Sequence, residues 1–247
     1  MTDPILIPEK IRKKVSEACI KYDLIEEGDR ILVGLSGGKD STSLLHILKN
    51  IQRFVPFDFH FEAAIITYGM GENYAAQVAH CEAHNIPVRV VETEIFEIAK
   101  TKINENSSFC SFFSRMRRGM LSKTAQEQNC NKLALGHHLD DAVESFFMNS
   151  LYNGHIRSLP PKYTAKDGIT VIRPLCFVRE KELRAIATEN GFPVVGDEMC
   201  PAFRCDTRMP HARAEMKQFL AQVEEHIPHA FSSVESALAN IDMGSLY

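Results

Sequence analysis

The sequence predicts an α/β fold: an open, mainly parallel sheet with helices on both faces. Three observations predict it. Short apolar runs alternate with helix-spaced segments along most of the chain, the pattern that builds parallel sheets covered on both sides. The runs are strand-sized, and none approaches the roughly 20 residues that span a bilayer. The length, 247 residues, suits one generous α/β domain or one domain with small appendages.

The elements follow in order. Ile11, Val15, Ala18, Cys19 and Tyr22 recur at helical spacing and predict an N-terminal helix over 11–22. Glu26-Glu27-Gly28-Asp29 is a turn, and residues 31–35 are apolar enough for a buried strand. A helix over 41–51 takes its apolar face from Leu44, Leu45, Ile47 and Leu48. Residues 63–67 read as the second strand, 74–84 as a helix and 88–91 as the third strand. A long helix starting near Ser111 leads into a strand at 132–135, and helix 140–151 follows. Residues 170–172 read as strand, and 180–190 as a helix that ends at Gly191.

Two segments interrupt the alternation. Residues 101–109 are polar, and 191–210 hold three prolines and two cysteines with no clear period. Both read as active-site loops, with plain long connections as the other reading. The organisation expected is an N-terminal helix (1–25), a catalytic domain (26–210), and a C-terminal helix and tail (211–247).

Composition excludes little. Apolar residues make up 45% and charged residues 24%, close to ordinary globular values. Net charge is −4, so there is no global positive field, and an RNA partner would need a local basic patch. The first ten residues lack an apolar signal-peptide core, which points to a cytoplasmic protein with no membrane partner. Seven cysteines without a secretion signal are fillers, metal ligands or reactive thiols rather than a disulfide framework.

Chemistry concentrates first at Ser36-Gly37-Gly38-Lys39-Asp40-Ser41, which joins the strand ending at Leu35 to a helix. A strand-to-helix turn presents unpaired amides and the positive end of the helix dipole. Glycines let the backbone approach an anion, and Ser36, Ser41 and Lys39 add donors and charge. A carboxylate beside phosphates, Asp40 here, implies a shared Mg²⁺. The P-loop of kinases is excluded, since Val33 occupies its first glycine position. A second turn, Gly136-His137-His138-Leu139-Asp140-Asp141, also links a strand to a helix, at a strand end where ligands collect in parallel sheets. Asp140 or Asp141 can hold Mg²⁺ or orient substrate there.

The first turn resembles the motif of the PP-loop ATP pyrophosphatase superfamily, and the second resembles that superfamily's Gly-His-x-x-x-Asp motif. The resemblance implies an adenine nucleotide alpha hydrolase-like sheet. It also implies an enzyme that cleaves ATP between the α- and β-phosphates and places AMP on a carbonyl oxygen. The nucleotide would lie on Leu35, Ser36, Gly37, Gly38, Lys39, Asp40, Ser41, Thr67, Gly136, His137 and Asp141, with Lys39, Asp40 and Asp141 catalytic.

Three further features narrow the branch: Cys110 through Gly119 (Cys-Ser-Phe-Phe-Ser-Arg-Met-Arg-Arg-Gly), Arg173-Pro174-Leu175 with Arg179-Glu180-Lys181-Glu182, and the loop with Cys200 and Cys205. From about residue 26 to about 210 the order of motifs resembles the tRNA 2-thiocytidine synthetases. Members of that family replace the C2 oxygen of a tRNA cytidine with sulfur, using ATP and a [4Fe–4S] cluster on three cysteines. The resemblance implies tRNA and a sulfur-donor protein such as a cysteine desulfurase as partners.

The chain departs from the family pattern twice. Phe113 stands where a second cysteine belongs, and Asp197 replaces the first cysteine of the later pair. Cys110, Cys200 and Cys205 together restore three ligands, with Asp197 as an oxygen fourth. The same thiols with His211 also suit Zn²⁺. A third reading makes them redox-active or structural thiols without metal. Cys19, Cys81, Cys130 and Cys176 sit in helix- or strand-like segments and read as fillers.

Arg115, Arg117 and Arg118 follow Cys110 on a helix, Arg115 and Arg118 sharing one face at i, i+3. They read as guides for an RNA backbone, which Lys162, Arg173 and Arg179 would extend, or else as a solvated helix face. The apolar face of the N-terminal helix is open to a second copy, giving a homodimer, or to the sheet. Three other classes remain: adenylation with an amine nucleophile, a different sulfur reaction on RNA or a small molecule, and a nucleotide- or metal-binding module without catalysis.

Overall fold

A computed structural model describes residues 5–102, 109–195 and 211–245. Within it the chain forms α1 (Glu9–Tyr22), β1 (Arg30–Gly34), α2 (Lys39–Ile51), β2 (His60–Ile66), α3 (Ala75–Ala83), β3 (Val88–Val91), α4 (Ile95–Lys102) and α5 (Phe109–Glu127). There follow β4 (Lys132–Ala134), α6 (Leu139–Asn153), β5 (Lys162–Thr164), β6 (Thr170–Ile172), α7 (Glu180–Glu189), α8 (His211–His226) and α9 (Ala230–Ala239).

The six strands form one sheet in the order β3-β2-β1-β4-β6-β5. All neighbours are parallel except the edge pair β5–β6. The register pairs Val33 with Ala63 on one side and Ala134 on the other. Side chains leave a strand to alternate faces, and the core divides accordingly. Ile31, Val33, Ala63, Ile65, Ala134 and Ile172 pack with residues of α1, α2 and α7 on one face. Leu32, Ala64, Ile66, Leu133 and Val171 pack with residues of α4 and α5 on the other. The expected doubly covered sheet is therefore present. Ile11, Val15 and Ala18 of α1 are buried against this chain's own core.

Three differences have local causes. The strand expected at 63 starts at His60, because exposed His60 and half-buried Phe61 and Glu62 still pair with β1. β5, three residues long at the antiparallel edge, is too short to show a period. The C-terminal segment holds two helices, since Pro228 cannot continue α8. Those helices dock on α6 through Met216, Leu220 and Phe231 against Leu139 and Val143. Most of loops 101–109 and 191–210, with Asp197, Cys200 and Cys205, lies outside the described residues. No helix among the described residues is long and apolar enough to cross a membrane.

Candidate active site

β1 and β4 lie side by side at the centre of the sheet, and the chain leaves them toward opposite edges. A crevice opens at such a switch point, outside the strands' C-terminal ends. Here it is a cavity of about 350 Å³. Ser36, Asp40 and Ser41 form one wall, and Gly136, His137 and Asp141 form the facing one. Tyr68 and Phe113 supply an aromatic side, and Arg117, Arg118 and Arg213 supply the cations.

The phosphate-type loop is pre-shaped by its own hydroxyls. Ser41 Oγ accepts from Ser36 N at 3.0 Å and donates to the Gly38 carbonyl at 3.1 Å. Gly37 has φ +82°, and a Cβ there would meet Val195 Cγ2 at 2.5 Å, so only glycine fits. A Cβ on Gly136 would fall 3.0 Å from Ser41 N. The second turn therefore packs directly on the first-turn backbone of α2, whose amides and dipole favour an anion.

The carboxylates divide by role. Asp141 lines the cavity, and its Oδ2 accepts from His138 N at 3.0 Å to complete the N-cap of α6. Burial alone would raise its carboxyl, but His138, Arg213 and His137 hold it below the ordinary value. Asp140 turns away: its oxygens accept from Arg179 at 3.1–3.2 Å and from Glu180 N at 2.7 Å. Of the two readings for this pair, only Asp141 faces the cavity.

Burial raises the Asp40 carboxyl despite His138 and Lys39 nearby. Its Oδ1 is buried with no hydrogen-bond partner. A buried oxygen without a partner in an anion-binding crevice is what a divalent cation completes; Asp40 thus fits Mg²⁺. His138 stands between the two carboxylates. Its Nδ1 accepts from Asp141 N at 3.4 Å, which leaves the proton on Nε2. Nε2 lies 3.8 Å from Asp40 and 3.4 Å from Asp141. Burial pushes the neighbouring His137 down to about 4, so it is neutral.

The family model described as PP-loop domain matches residues 8–203. The tRNA-cytidine(32) 2-sulfurtransferase of Syntrophotalea carbinolica is 42% identical over 94% of this chain and 89% of its own length. The one from Nitrosomonas europaea is 36% identical over 96% of this chain and 75% of its own. The chain belongs to the tRNA-cytidine(32) 2-sulfurtransferase branch of the PP-loop family. Its fold is shared with the U34-tRNA thiolase NcsA of Methanococcus maripaludis, solved with its [4Fe–4S] cluster. That likeness has a TM-score of 0.74 at 23% identity, covering 95% of this chain and 79% of that one.

Other PP-loop residues expected from sequence lie outside the cavity wall. Lys39 turns to α7, donating to Glu180 at 3.0 Å and to Asp40 at 3.2 Å. Leu35 is buried in the core and offers the site only backbone. Thr67 spends its hydroxyl on Glu92 at 3.0 Å, tying the ends of β2 and β3 together. Gly37 and Gly38 shape the loop without lining the cavity.

The arginine pairing needs correction. Ser114, Arg117, Arg118 and Leu121 form the cavity stripe of α5, spaced i, i+3, i+4 and i+7. Arg117 and Arg118 thus share the working face, and Arg115 is exposed away from it. The proposed extensions are structural. Arg173 is buried on the Pro160 carbonyl and His137, Arg179 binds Asp140 and Glu224, and Lys162 binds the Asp23 carbonyl at 2.6 Å. Sequence reading missed Arg213, which pairs with Asp141 and with Glu144 at 3.1 Å. An arginine in a C-terminal helix carries no local signal of such a reach.

The cysteines also sort. Burial pushes the thiols of Cys19 and Cys176 up to about 12, and those of Cys81 and Cys130 to about 11. None of the four belongs to a group of three or more candidate metal ligands among the described residues, and Cys19, Cys81, Cys130 and Cys176 pack in the apolar cores as fillers. Phe113 is buried in an aromatic cluster with Tyr68, Phe96 and Phe112. Cys110 lies in the first turn of α5, with its side chain, Cys200 and Cys205 outside what is described.

Proposed function

We propose that this chain is a cytoplasmic ATP-dependent tRNA sulfurtransferase that adenylates the C2 oxygen of a cytidine and exchanges it for sulfur. The observation that carries the reading is the 42% identity to a tRNA-cytidine(32) 2-sulfurtransferase across 94% of the chain. The cavity at the β1–β4 switch point, holding Ser36, Asp40, Ser41 and Asp141, agrees with it.

The residues divide the work. The amides of the α2 N-terminus and the hydroxyls of Ser36 and Ser41 bind the phosphates of ATP. Asp40 and Asp141 face each other across the crevice, where Mg²⁺, when bound, neutralises charge on the departing pyrophosphate. Lys39, held in reserve by Glu180, supplies a mobile cation to the same phosphates. Oxygen of the cytidine forms a bond to the α-phosphorus as pyrophosphate leaves. Sulfur then bonds C2, and AMP departs with the oxygen. Arg117 and Arg118 hold the RNA backbone at the mouth of the crevice.

Cys110, Cys200 and Cys205 would hold the [4Fe–4S] cluster, which would supply a binding place for the incoming sulfur; a cysteine desulfurase is the upstream donor, and a thiol reductant supplies the two electrons that bring its persulfide sulfur to the sulfide level. Support comes from the other four cysteines lying in the apolar cores without a ligand cluster among the described residues, and from the cluster in the fold relative. Mass spectrometry of tRNA nucleosides from cells lacking the gene tests the reading. Loss of 2-thiocytidine, restored by the wild-type gene and not by a Cys110→Ala copy, is expected. An unchanged nucleoside profile overturns the assignment of substrate.

A further inference from the structure

Away from the cavity, on the α1–α2–α7 face of the sheet, three histidines meet. His46 lies midway along α2, His80 lies near the end of α3, and His84 is the C-cap of that helix. One ring nitrogen from each lies within 4.8 Å of the other two. The ring centroids are 5.0, 4.9 and 4.6 Å apart for the pairs 46–80, 46–84 and 80–84. His46 Nε2 and His80 Nε2 are 2.8 Å apart.

A neutral imidazole carries one donor and one lone pair. The 2.8 Å contact between His46 Nε2 and His80 Nε2 is a hydrogen bond in which one ring donates to the other; moving that proton to the donor ring's Nδ1 frees both lone pairs for a cation. Burial lowers the pKa of all three, that of His46 to about 3, so each is neutral at physiological pH. No carboxylate among the described residues forms an ion pair with any of them. The charged neighbour is Lys49, whose ammonium is engaged by the carbonyls of His84 and Asn85. Phe192 walls the inner side, stacked on His46 at 5.0 Å and edge-on to His80 at 5.5 Å. His46 is buried, whereas His80 and His84 are half-buried, so the cluster opens to water on one side.

We propose that His46, His80 and His84 form a zinc site, with three imidazole ligands and water in the fourth position. Tetrahedral zinc with Zn–N bonds of about 2.0–2.1 Å sets its ligand nitrogens about 3.3 Å apart. The His46–His80 pair therefore opens by only about half an ångström to accept it. The ion staples α2 to α3, and α2 is the helix whose first turn forms the phosphate loop. None of the three ligands lines the cavity, so the site stands independently of the sulfur-transfer reading.

The test uses the full-length protein carrying Cys110→Ser, Cys200→Ser and Cys205→Ser, which removes the proposed cluster thiols and leaves all three histidines wild type; it is stripped by chelator and titrated anaerobically with Co²⁺. The expected result is the visible spectrum of four-coordinate Co²⁺ without sulfur-to-metal charge transfer, displaced by one equivalent of Zn²⁺. His80→Gln and His84→Gln should each weaken this binding at least ~10-fold, with unchanged far-ultraviolet circular dichroism. These two positions are chosen because they are half-buried, unlike His46. In the same preparations Zn²⁺ should raise the Tm of the protein with all three histidines and not of either variant. Spectra that carry thiolate charge transfer and persist in both variants overturn the site, as does a Tm response to Zn²⁺ that both variants retain.

Discussion

Asp40 carries a buried oxygen with no hydrogen-bond partner, an arrangement that costs stability in the free protein. Asp40→Asn is therefore expected to leave the Tm nearly unchanged while reducing tRNA-dependent pyrophosphate release by at least ~10²-fold. A coupled phosphate-release assay and a thermal melt on the same preparation check both halves. Gly136→Ala separates binding from chemistry: its Cβ presses on Ser41 N at 3.0 Å, displacing the phosphate loop, and should raise the KM for ATP more than it lowers kcat. These positions were legible from sequence because residue type and spacing carry the chemistry: glycine where backbone must close, serine and lysine for phosphate, aspartate for a cation. His137, Arg117 and Arg118 were legible too, but the cavity's apolar wall and Arg213 were not. Tyr68, Phe113 and Leu121 are apolar residues like any others in the core, and Arg213 arrives from a helix 77 residues past Gly136. His138 carried no role of its own in the sequence, and the fold places its Nε2 between the carboxylates of Asp40 and Asp141.

Arg179 holds three helices together. It precedes α7, pairs with Asp140 of α6 at 3.1 Å and Glu224 of α8 at 2.8 Å, and lies 3.7 Å over the Phe231 ring of α9. Arg179→Ala leaves the buried Asp140 carboxylate without its partner, a loss of about 3 kcal/mol, which lowers the Tm by about 6–12 °C at this chain length. Lysine cannot replace the fork that reaches both acids, so Arg179→Lys should recover only part of it. The network also has a pH signature. Hydrogen bonds from Arg179 and Lys181 hold the Glu224 carboxyl down to about 2, against an ordinary value of 4.5. A depressed carboxyl contributes fully above its ordinary value and loses that contribution as pH falls toward the depressed one. The Tm should fall on acidification through this window, and less steeply in Arg179→Ala. None of this docking was visible in sequence: Asp140 read as a candidate for Mg²⁺ or substrate, Arg179 as an extension of the RNA patch, and Glu224, 45 residues past Arg179, carried no signal. The central strands were visible, since β1 and β2 are buried and apolar over their C-terminal four residues and β4 carries Leu133 and Ala134. The edge strand β5 and the break at Pro228 depend on neighbours and on one residue each.

The whole molecule carries net charge −4, so it repels an RNA backbone except where a local patch prevails. The cavity mouth is such a patch: Arg117 and Arg118 line it from α5, and Arg213 lines it from α8. Arg117 stands 6.0 Å over the Tyr68 ring, with a buried Nε lacking a partner. Among the described residues, Arg118 donates through Nε to the Ser114 carbonyl of its own helix, which leaves its terminal nitrogens to a phosphate. Each phosphate neutralised by an arginine releases counterions, so affinity falls with salt in proportion to the number of contacts. A positive cavity mouth of a few arginines keeps that number small and localised. Arg118→Ala should weaken tRNA binding and reduce the slope of log Kd against log salt by about 1. Arg115→Ala, on the exposed face of the same helix, should leave the slope unchanged. Filter binding across a range of KCl concentrations measures both. Equal effects from the two substitutions would mean that RNA follows the outer face of α5 and not the crevice that holds Asp40 and Asp141.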